Sequence, residues 1–503
     1  MLDQDAVGDR QQLQRHPDDP RRGCLPQGAP PARARGPGDA PARGSPPAHA
    51  QGDRGRRGDP PAGAGVLPSP EDDRGDHRSH RREDPRPVRH TPGPDPPLGW
   101  ALLKGVRGGG RRRRPAARPG AAARRRTSAD SRDEVERRKA EHLRLATSRE
   151  VGSRRGPGWS DIQLLHQALP VADLPAIDLS AEFLGHRLGA PLAIAAMTGG
   201  HEGAGDVNAR LARAAERFGL AMGLGSQRAA LRNPRLARTY AVAREAAPHA
   251  FLIANVGAAQ LTAQDSGPPL TPSQLASAVA MVGANALAIH LNFLEETVQP
   301  EGDRLVTGLR RALAAAVASL AVPAIAKETG AGISHTAAVE LRGLGFRALD
   351  VGGAGGTSFA AIETARAEAR GDLRRAELGR VYQDWGIPTA VSIVAAGAAG
   401  LPIIATGGVR TGLDAAKAIA LGATLVAVGR PLLAAALRGE AAVEAWITQF
   451  LEELRVAIFL SGGRRAADLR SAPRVVLGET RRWIEDLGCE AGLAPAPRPA
   501  GGL

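Results

Sequence analysis

The sequence predicts an α/β protein whose main domain is a (β/α)8 barrel, the TIM-barrel fold. Eight short, nearly continuous apolar runs occur within about 240 residues, and the stretches between them are long enough for helices. Such runs are typical of buried parallel strands, and eight is the number that closes this barrel. In order, the runs are PLAIAAM (191–197), LAMGLGS (220–226), FLIANV (251–256), ALAIHLN (286–292), PAIAKE (323–328), ALDVGG (348–353), PIIATGG (402–408) and LVAVGR (425–430).

Helical patterns alternate with these runs, as the barrel requires. Each pattern is flanked by glycine, proline, serine or threonine at plausible helix ends. The connection at 358–401 is the longest, and its second half predicts a helix. Residues 131–146 and 439–461 predict two further helices, and a short polar tail closes the chain. The patterns between strands cover residues 208–219, 234–247, 271–283, 309–321, 334–345 and 412–422.

Composition divides the 503 residues near position 127. Residues 1–126 hold more than half of the 39 prolines and most of the net charge of +14, without helical or strand periodicity. Such a segment cannot bury enough apolar surface to offset its chain entropy, so we expect a long disordered N-terminal extension. Translation from a wrongly assigned start would also explain it. The rest divides into an N-terminal helix and lead-in (127–190), the barrel (191–440), and a C-terminal helical cap and tail (441–503).

Composition, cysteine content and the lengths of the apolar runs also indicate which partners and which cellular compartment to expect. The arginines of the extension are not interleaved with aromatic residues, so we expect no nucleic-acid partner. Cys24 and Cys489 lie too far apart in sequence to suggest a disulfide framework, and they suit a reducing compartment. No apolar run reaches 18 residues and no hydrophobic signal core is present, so we expect no membrane contact and a cytoplasmic location.

The ends of the strands are the places to look for chemistry, because the βα loops of this fold converge over one mouth. The seventh and eighth runs lead into TGGVR (406–410) and VGR (428–430). Glycine-rich turns there, with backbone N–H groups and a helix N-terminus nearby, form the phosphate cradle that recurs in this fold. Arg410 and Arg430 would add positive charge. The alternative is that these glycines only make turns.

A lysine at the end of the fifth strand, Lys327, would be buried at the mouth and would need an anionic or electron-rich partner. It could form a Schiff base, or it could donate to N1 or O2 of a flavin, where negative charge builds on reduction. Other strand ends supply hydrogen-bonding side chains suited to a flat heteroaromatic ring, although single polar residues there often serve only as caps. These side chains are Thr198, Ser226, Asn255 and Thr357.

The fourth strand leads into HLNFLEETVQPEGDR, which gathers five polar or charged side chains within 14 residues. Carboxylates beside a histidine and an asparagine could bind Mg2+, a hard cation that commonly bridges to diphosphate. They could also act as acid and base. A solvated acidic loop is the alternative. The five residues are His290, Asn292, Glu295, Glu296 and Asp303.

From about position 133 onward the chain resembles type II isopentenyl diphosphate isomerase, an FMN-dependent enzyme. The resemblance follows the family order over roughly 350 residues. It implies FMN at the barrel mouth, Mg2+, NADPH as the flavin reductant, and a homo-oligomer, a tetramer or an octamer. The implied reaction interconverts isopentenyl and dimethylallyl diphosphate by a 1,3 proton shift over reduced flavin. The matching segments are ERRKAEHLRLA, IDLSAEFLGHRLGAPLAIAAMTGG, MGLGSQRAALRNPR, IANVGA, IHLN with QPEGDR, KETGAGIS, DVGGAGGTSFAAIE, DWGIPTA, ATGGVRTGLDAAKAIALGA and GRPLL.

Carried over position by position, the resemblance implies roles for residues at the mouth. Arg138 and Lys139 match the pair that grips the substrate diphosphate, with His142 beside it. Further substrate contacts are implied for Ser226, Arg228 and Glu295, catalytic roles for Glu295, His290 and Asn292, and Mg2+ binding for Glu296. The implied flavin site consists of Thr198, Gly199, Gly200, Ser226, Asn255, Lys327, Thr357, Gly408, Val409, Arg410, Gly429 and Arg430.

Three positions depart from the family pattern. Glu295 stands where a glutamine contacts the substrate, Gly352 where a serine is usual, and Ala354 where a basic residue is common. A carboxylate at 295 could add an acid–base group, or it could oppose the diphosphate electrostatically. The leading hypothesis is an isopentenyl-diphosphate delta-isomerase. The alternatives are another flavin oxidoreductase on the same barrel and a catalytically silent paralogue that binds FMN or a prenyl diphosphate.

Overall fold

The computed structural model describes Lys139, Glu141, His142, Arg144, Leu145, Thr147 and residues 151–493. It confirms the predicted barrel: eight parallel strands close in chain order, and the last pairs back onto the first. Each of the eight is buried on both faces along most of its length, which explains the continuous apolar runs. The strands are β1 Ile162–Leu164, β2 Ala181–Phe183, β3 His186–Leu188, the barrel strands β4 Leu192–Ile194, β5 Ala221–Gly223, β6 Phe251–Gly257, β7 Ala286–His290, β8 Ala324–Lys327, β9 Ala348–Asp350, β10 Ile403–Thr406 and β11 Leu425–Val428, and finally β12 Arg474–Val476.

Helices occupy all of the predicted connections. Thr271 and Thr411 begin two of them with reciprocal capping boxes, which satisfy N–H groups that the first turn leaves unpaired. The residues described between 139 and 147 are also helical. No helix in the described part of the chain is long and apolar enough to cross a membrane. The helices are α1 Ala204–Phe218, α2 Arg228–Arg232, α3 Arg238–Ala246, α4 Pro272–Met281, α5 Phe293–Val298, α6 Leu309–Ala318, α7 His335–Gly343, α8 Phe359–Ala369, α9 Leu373–Tyr382, α10 Thr389–Ala396, α11 Gly412–Ala420, α12 Arg430–Arg438, α13 Glu440–Leu460 and α14 Gly478–Asp486.

The barrel interior is closed at the amino ends of its strands. The β2–β3 hairpin places Phe183 edge-on against Phe251, the first residue of β6, with ring centroids 5.6 Å apart. Beyond this hairpin, small side chains such as Ala221 and Ala288 fill much of the barrel interior. A larger apolar layer lies between the strands and the helices. The carboxyl ends of the strands are therefore the ends that can open to a ligand.

The two ends of the described chain pair with each other. β1 and β12 form an antiparallel two-stranded sheet, with Ile162 opposite Val476. Asp161 accepts hydrogen bonds at its main-chain oxygen from the N–H of Leu477 and at its side chain from the N–H of Thr480, both at 2.9 Å. The expected short polar tail is thus wrong for residues 474–486, because β12 and α14 form there and hold the lead-in to the barrel.

Candidate active site at the carboxyl ends of the barrel strands

A cavity of about 630 Å³ opens at the carboxyl ends of the barrel strands. Arg138 lies outside the described residues. Gly200 does not line the cavity. Its N–H donates to Thr239 Oγ1 at 2.9 Å, which anchors the chain beside the cavity-lining Gly199. Asp303 does not line the cavity either and pairs with Arg228 instead. The other residues predicted for the site line this one cavity: Lys139, His142, Thr198, Gly199, Ser226, Arg228, Asn255, His290, Asn292, Glu295, Glu296, Lys327, Thr357, Gly408, Val409, Arg410, Gly429 and Arg430.

One wall is built from glycines at the ends of β9 and β10. Gly407 and Gly408 have φ values of +117° and +70°, which side-chain-bearing residues rarely adopt. A Cβ at Gly408 would lie 2.6 Å from the main-chain oxygen of Gly355, and one at Gly407 would collide with that of Gly353. These glycines therefore let two loops pack backbone against backbone beside the cavity.

Helix α12 begins at the same wall. Its N-cap, Gly429, has no side chain to cap the first turn, and Arg430 is the first helical residue. Unpaired N–H groups and the helix dipole make such an end attractive to anions. Arg410 and Arg430 also line the cavity. The wall thus combines backbone donors with two cations, as a phosphate site requires.

Lys327, the last residue of β8, lines the cavity and is largely buried. Its Nζ lies 3.2 Å from Asp350 Oδ2 and donates to the main-chain oxygen of Glu328 at 2.9 Å. Asp350 Oδ1 and Thr406 Oγ1 are buried without a hydrogen-bond partner within the described residues. This part of the site therefore has an anchored cation with polar atoms nearby that a ligand could satisfy.

The loop after β8 is organised around the carboxylate of Glu328. Its Oε2 accepts hydrogen bonds from the N–H groups of Gly330, Ala331 and Gly332. Burial raises the pKa of Glu328 to about 7 against the opposing effect of these donors. Glu328 directly follows Lys327 in the sequence. Its role here is to shape the loop that bounds the cavity.

His290 is held in one orientation by Asn255. Asn255 Nδ2 donates to the main-chain oxygen of Leu224 at 3.0 Å, which turns Oδ1 toward His290 Nδ1 at 2.7 Å. In the neutral ring the proton therefore resides on Nδ1, and Nε2 can accept a hydrogen bond. Asn255 on β6 thus sets both the orientation and the tautomer of the histidine at the end of β7.

The acidic segment after β7 forms a short helix, α5, rather than a solvated loop. Asn292 Nδ2 donates to Glu295 Oε2 at 3.0 Å and to Glu296 Oε1 at 3.3 Å, while Asn292 Oδ1 is buried without a partner within the described residues. Glu296 Oε2 accepts from Gln299 Nε2 and from the N–H of Asp303. Glu296 is thus buried, and hydrogen bonds to both of its oxygens orient the carboxylate.

Arg228 on α2 joins this acidic segment to the neighbouring wall. Its Nη1 lies 2.7 Å from Asp303 Oδ2, and its Nη2 donates to Ser266 Oγ at 2.7 Å. Gln260 Nε2 also reaches Asp303, at 3.2 Å. The guanidinium is therefore fixed before any ligand arrives.

Lys139 connects the N-terminal helical residues to the barrel. Its Nζ donates to the main-chain oxygens of Gly199 at 2.8 Å and Ser226 at 2.6 Å, and to Tyr240 Oη at 2.7 Å. Burial raises the pKa of Tyr240, so this hydroxyl stays neutral and donates onward to the Ser226 oxygen at 2.6 Å. The ammonium thus ties the ends of β4 and β5 together at the cavity wall.

A buried charge network behind His142 was not predicted from the sequence. His142 Nε2 lies 2.6 Å from Glu363 Oε1, and its Nδ1 lies 4.0 Å from Glu295 Oε1. Arg366 contacts Glu363 at 2.6 Å, Glu301 at 2.8 Å and Glu141 at 2.9 Å. Burial acts against the charged guanidinium, but the three carboxylates outweigh it and raise its pKa. The available signal was a Glu and an Arg at i, i+3 within the alanine-rich sequence of α8.

Curated relatives, a family model and solved structures all match the barrel region of this chain. An isopentenyl-diphosphate delta-isomerase from Methanoregula boonei is 48% identical over 351 residues, which cover 69% of this chain and 96% of that protein. The same enzyme from Halobacterium salinarum is 45% identical over 361 residues, covering 71% and 98%. The family model for FMN-dependent dehydrogenase matches residues 386–475. A solved mandelate oxidase variant with a monooxide FMN adduct is 18% identical, with 69% of this chain and all of that chain covered and a TM-score of 0.45.

Proposed function

The chain belongs to the isopentenyl-diphosphate delta-isomerase family, and we propose that it interconverts isopentenyl and dimethylallyl diphosphate with FMN bound at the barrel mouth. The observation that carries this proposal is that one cavity contains two separate polar regions. The glycine wall with Arg410 and Arg430 would hold the cofactor, and the cluster around His142 and Arg228 would hold the substrate.

The residues present fit a flavin mononucleotide. The tight packing that Gly407 and Gly408 allow between their loop and the loop of Gly353 and Gly355 brings backbone N–H groups and the start of α12 to one wall of the cavity, where a phosphate would bind. Lys327 would donate to the N1 and O2 edge of the ring, where negative charge accumulates on reduction. The unpartnered hydroxyl of Thr406, which lines the cavity, would hydrogen-bond to a polar group of the ring, while Asp350 would hold Lys327 in place. Thr198, Ser226, Asn255 and Thr357 would complete the contacts along the other strand ends.

The opposite part of the cavity fits a diphosphate and a hard cation. His142 and Arg228 would contact the diphosphate directly, while the Lys139 ammonium, already bonded to two main-chain oxygens, would attract it electrostatically. Glu296 would bind Mg2+ through its carboxylate, which lines the cavity and is held in place by Asn292, Gln299 and the N–H of Asp303. One carboxylate oxygen is enough, because Mg2+ usually keeps waters and takes its remaining ligands from phosphate.

The reaction adds a proton at the terminal alkene carbon and removes one from C2. When bound, reduced FMN would supply an electron-rich ring with acid–base groups at N1 and N5. Binding of the diphosphate by His142 and Arg228 would position the alkene, so that remote contacts contribute to the rate. Asn292 donates to Glu295 and so orients a carboxylate that could hold or move a proton, and His290 Nε2 could accept one. We further propose NADPH as the flavin reductant, a homo-oligomeric assembly and a cytoplasmic location.

The test is a product assay with the purified full-length chain. The protein is supplied with FMN, Mg2+ and isopentenyl diphosphate under anaerobic conditions, with the flavin either reduced by NADPH or left oxidised. We expect dimethylallyl diphosphate only with reduced flavin. Bound flavin with no product under either condition would contradict the proposal and favour a paralogue that binds the ligands without turnover.

A further inference from the structure

The lead-in segment before the barrel crosses directly over the glycine wall. The Pro157 oxygen accepts from the N–H of Ala390 at 2.9 Å, which anchors the segment to α10. A Cβ at Gly408 would lie 2.8 Å from the Pro157 ring. Two residues later, Trp159 is buried and its Nε1 donates to the main-chain oxygen of Gly408 at 3.0 Å. The glycine wall is therefore covered by the lead-in segment, which is not part of the barrel strands.

A second side chain holds the adjacent peptide. Thr389, fully buried at the start of α10, donates from Oγ1 to the main-chain oxygen of Gly407 at 2.8 Å. The carbonyls of two consecutive glycines are thus both fixed by side chains from outside the loop. Lys417 on α11 fixes Trp159 in turn, because its Nζ donates to the Trp159 oxygen at 2.8 Å.

These two contacts determine where the following N–H groups point. In a planar trans peptide, the C=O and the N–H point in opposite directions. Holding the Gly407 oxygen on Thr389 directs the N–H of Gly408 away from Thr389, and holding the Gly408 oxygen on Trp159 does the same for the N–H of Val409. Within the described residues, neither N–H donates to a protein acceptor. Both residues line the cavity.

We propose that Trp159 and Thr389 are positioning residues that aim the N–H groups of Gly408 and Val409 at the phosphate of the bound flavin. This inference rests on the proposed function, because it presupposes that FMN occupies the cavity. Neither side chain would touch the cofactor. Each acts through one peptide group, so its removal should weaken recognition of the phosphate and leave recognition of the ring unchanged.

The test compares FMN with riboflavin, which has the same ring and no phosphate. Dissociation constants of both are measured by flavin fluorescence titration for the wild type, Trp159→Phe, Thr389→Val and Thr389→Ser. We expect Trp159→Phe and Thr389→Val each to weaken FMN binding about tenfold, roughly the loss of one well-placed hydrogen bond, with riboflavin affinity unchanged. Thr389→Ser keeps the hydroxyl and should retain most of the preference for FMN.

Trp483→Phe is the matched control for loss of an indole N–H. Trp483 Nε1 donates to Glu479 Oε1 at 3.1 Å within α14, so this change removes an indole N–H without removing a hydrogen bond to Gly407 or Gly408, and phenylalanine keeps an aromatic ring beneath Arg155. The preference of Trp483→Phe for FMN should therefore equal that of the wild type. Thermal unfolding of each variant shows whether it folds. If Trp159→Phe does not fold, the near-isosteric Thr389→Val tests the same mechanism on the neighbouring peptide.

The possible results separate the inference from the function on which it rests. A preference for FMN over riboflavin that is unchanged in folded Trp159→Phe and Thr389→Val would overturn the positioning role. An equal loss of affinity for both flavins would overturn it too, since that result indicates general damage to the pocket. A wild type that binds neither flavin would overturn the proposed function, and this inference with it.

Discussion

Glu295 is the residue at which a single charge matters most for the proposed chemistry. Its carboxylate lies 4.0 Å from His142 Nδ1 and accepts a hydrogen bond from Asn292. Glu363 lies on the other side of the same histidine. A histidine expected to help bind an anion is thus flanked by two carboxylates, and the one at 295 stands where the family resemblance implies a neutral glutamine.

We expect Glu295→Gln to lower the KM for isopentenyl diphosphate about fivefold, because it removes one negative charge a few ångströms from the diphosphate. The amide oxygen can still accept from Asn292, so the local hydrogen bonding persists. Steady-state kinetics at saturating Mg2+ measures the effect. Glu340→Gln, an exposed substitution on α7, is the control and should leave KM unchanged. A hundredfold fall in kcat at constant KM would instead identify Glu295 as an acid–base group.

Most individual site residues could be predicted because strand ends are visible in the sequence. Lys327, Asn255 and Ser226 follow apolar runs, and the barrel geometry brings such residues to one mouth. Glu363 and Arg366 could not be found in this way. They lie on a helix of the long connection, and apart from their pairing with each other, their partners Glu141, His142 and Glu301 lie more than 60 positions away, which local patterns do not encode.

Helix α8 is the element that links the N-terminal helical residues to the cavity. Leu145 and Val151 pack against Ala361, Ile362 and Ala365 on its apolar side. On its charged side, Arg366 is almost completely buried among carboxylates. A buried cation of this kind stabilises mainly by compensating the charges around it, so its removal leaves Glu363 buried and uncompensated.

We expect Arg366→Met to lower the free energy of unfolding by about 3–5 kcal/mol, the usual cost of breaking a buried ion pair on one side. Denaturant unfolding followed by circular dichroism measures this. Arg380→Met removes an exposed arginine that pairs with Glu368 and Glu377, and should leave the free energy of unfolding nearly unchanged. Adding Glu363→Gln to Arg366→Met should restore part of the loss. A double variant no more stable than Arg366→Met would contradict this account.

At the level of elements, the sequence predicted α10 in the long connection but not α8 or α9. The reason is the pattern: α10 is a run of apolar residues, whereas α9 mixes arginine and alanine with little apolar periodicity. α8 is buried along most of its length through alanines and paired charges. The carboxylates and the histidine that pair with its buried charges come from other parts of the chain, so the sequence of α8 alone does not indicate that it is buried.

At the scale of the whole molecule, the barrel could be predicted from the sequence, but the sheet that pairs the two ends of the described chain could not. Eight buried parallel strands give a strong repeated signal, and all eight were found in the expected order. The β1–β12 sheet joins three-residue strands more than 300 positions apart, and such short strands carry no pattern of their own. This sheet nevertheless helps to hold the segment that carries Trp159 over the glycine wall.

We expect removal of residues 1–126 to leave the midpoint of thermal unfolding and the FMN affinity unchanged, because that segment has no pattern that predicts a packed core.

Removal of residues 1–150 is the informative contrast. It also deletes Lys139, Glu141 and His142, and with them contacts to the ends of β4 and β5, to Arg366 and to Glu363. That protein should unfold about 5 °C lower and show a raised KM for isopentenyl diphosphate, since several hydrogen bonds and the burial of Leu145 are lost. Differential scanning fluorimetry and kinetics compare the two. Equal destabilisation by both deletions would show that residues 1–126 contribute to the fold, and stability unaffected by either would show that the N-terminal helical residues do not.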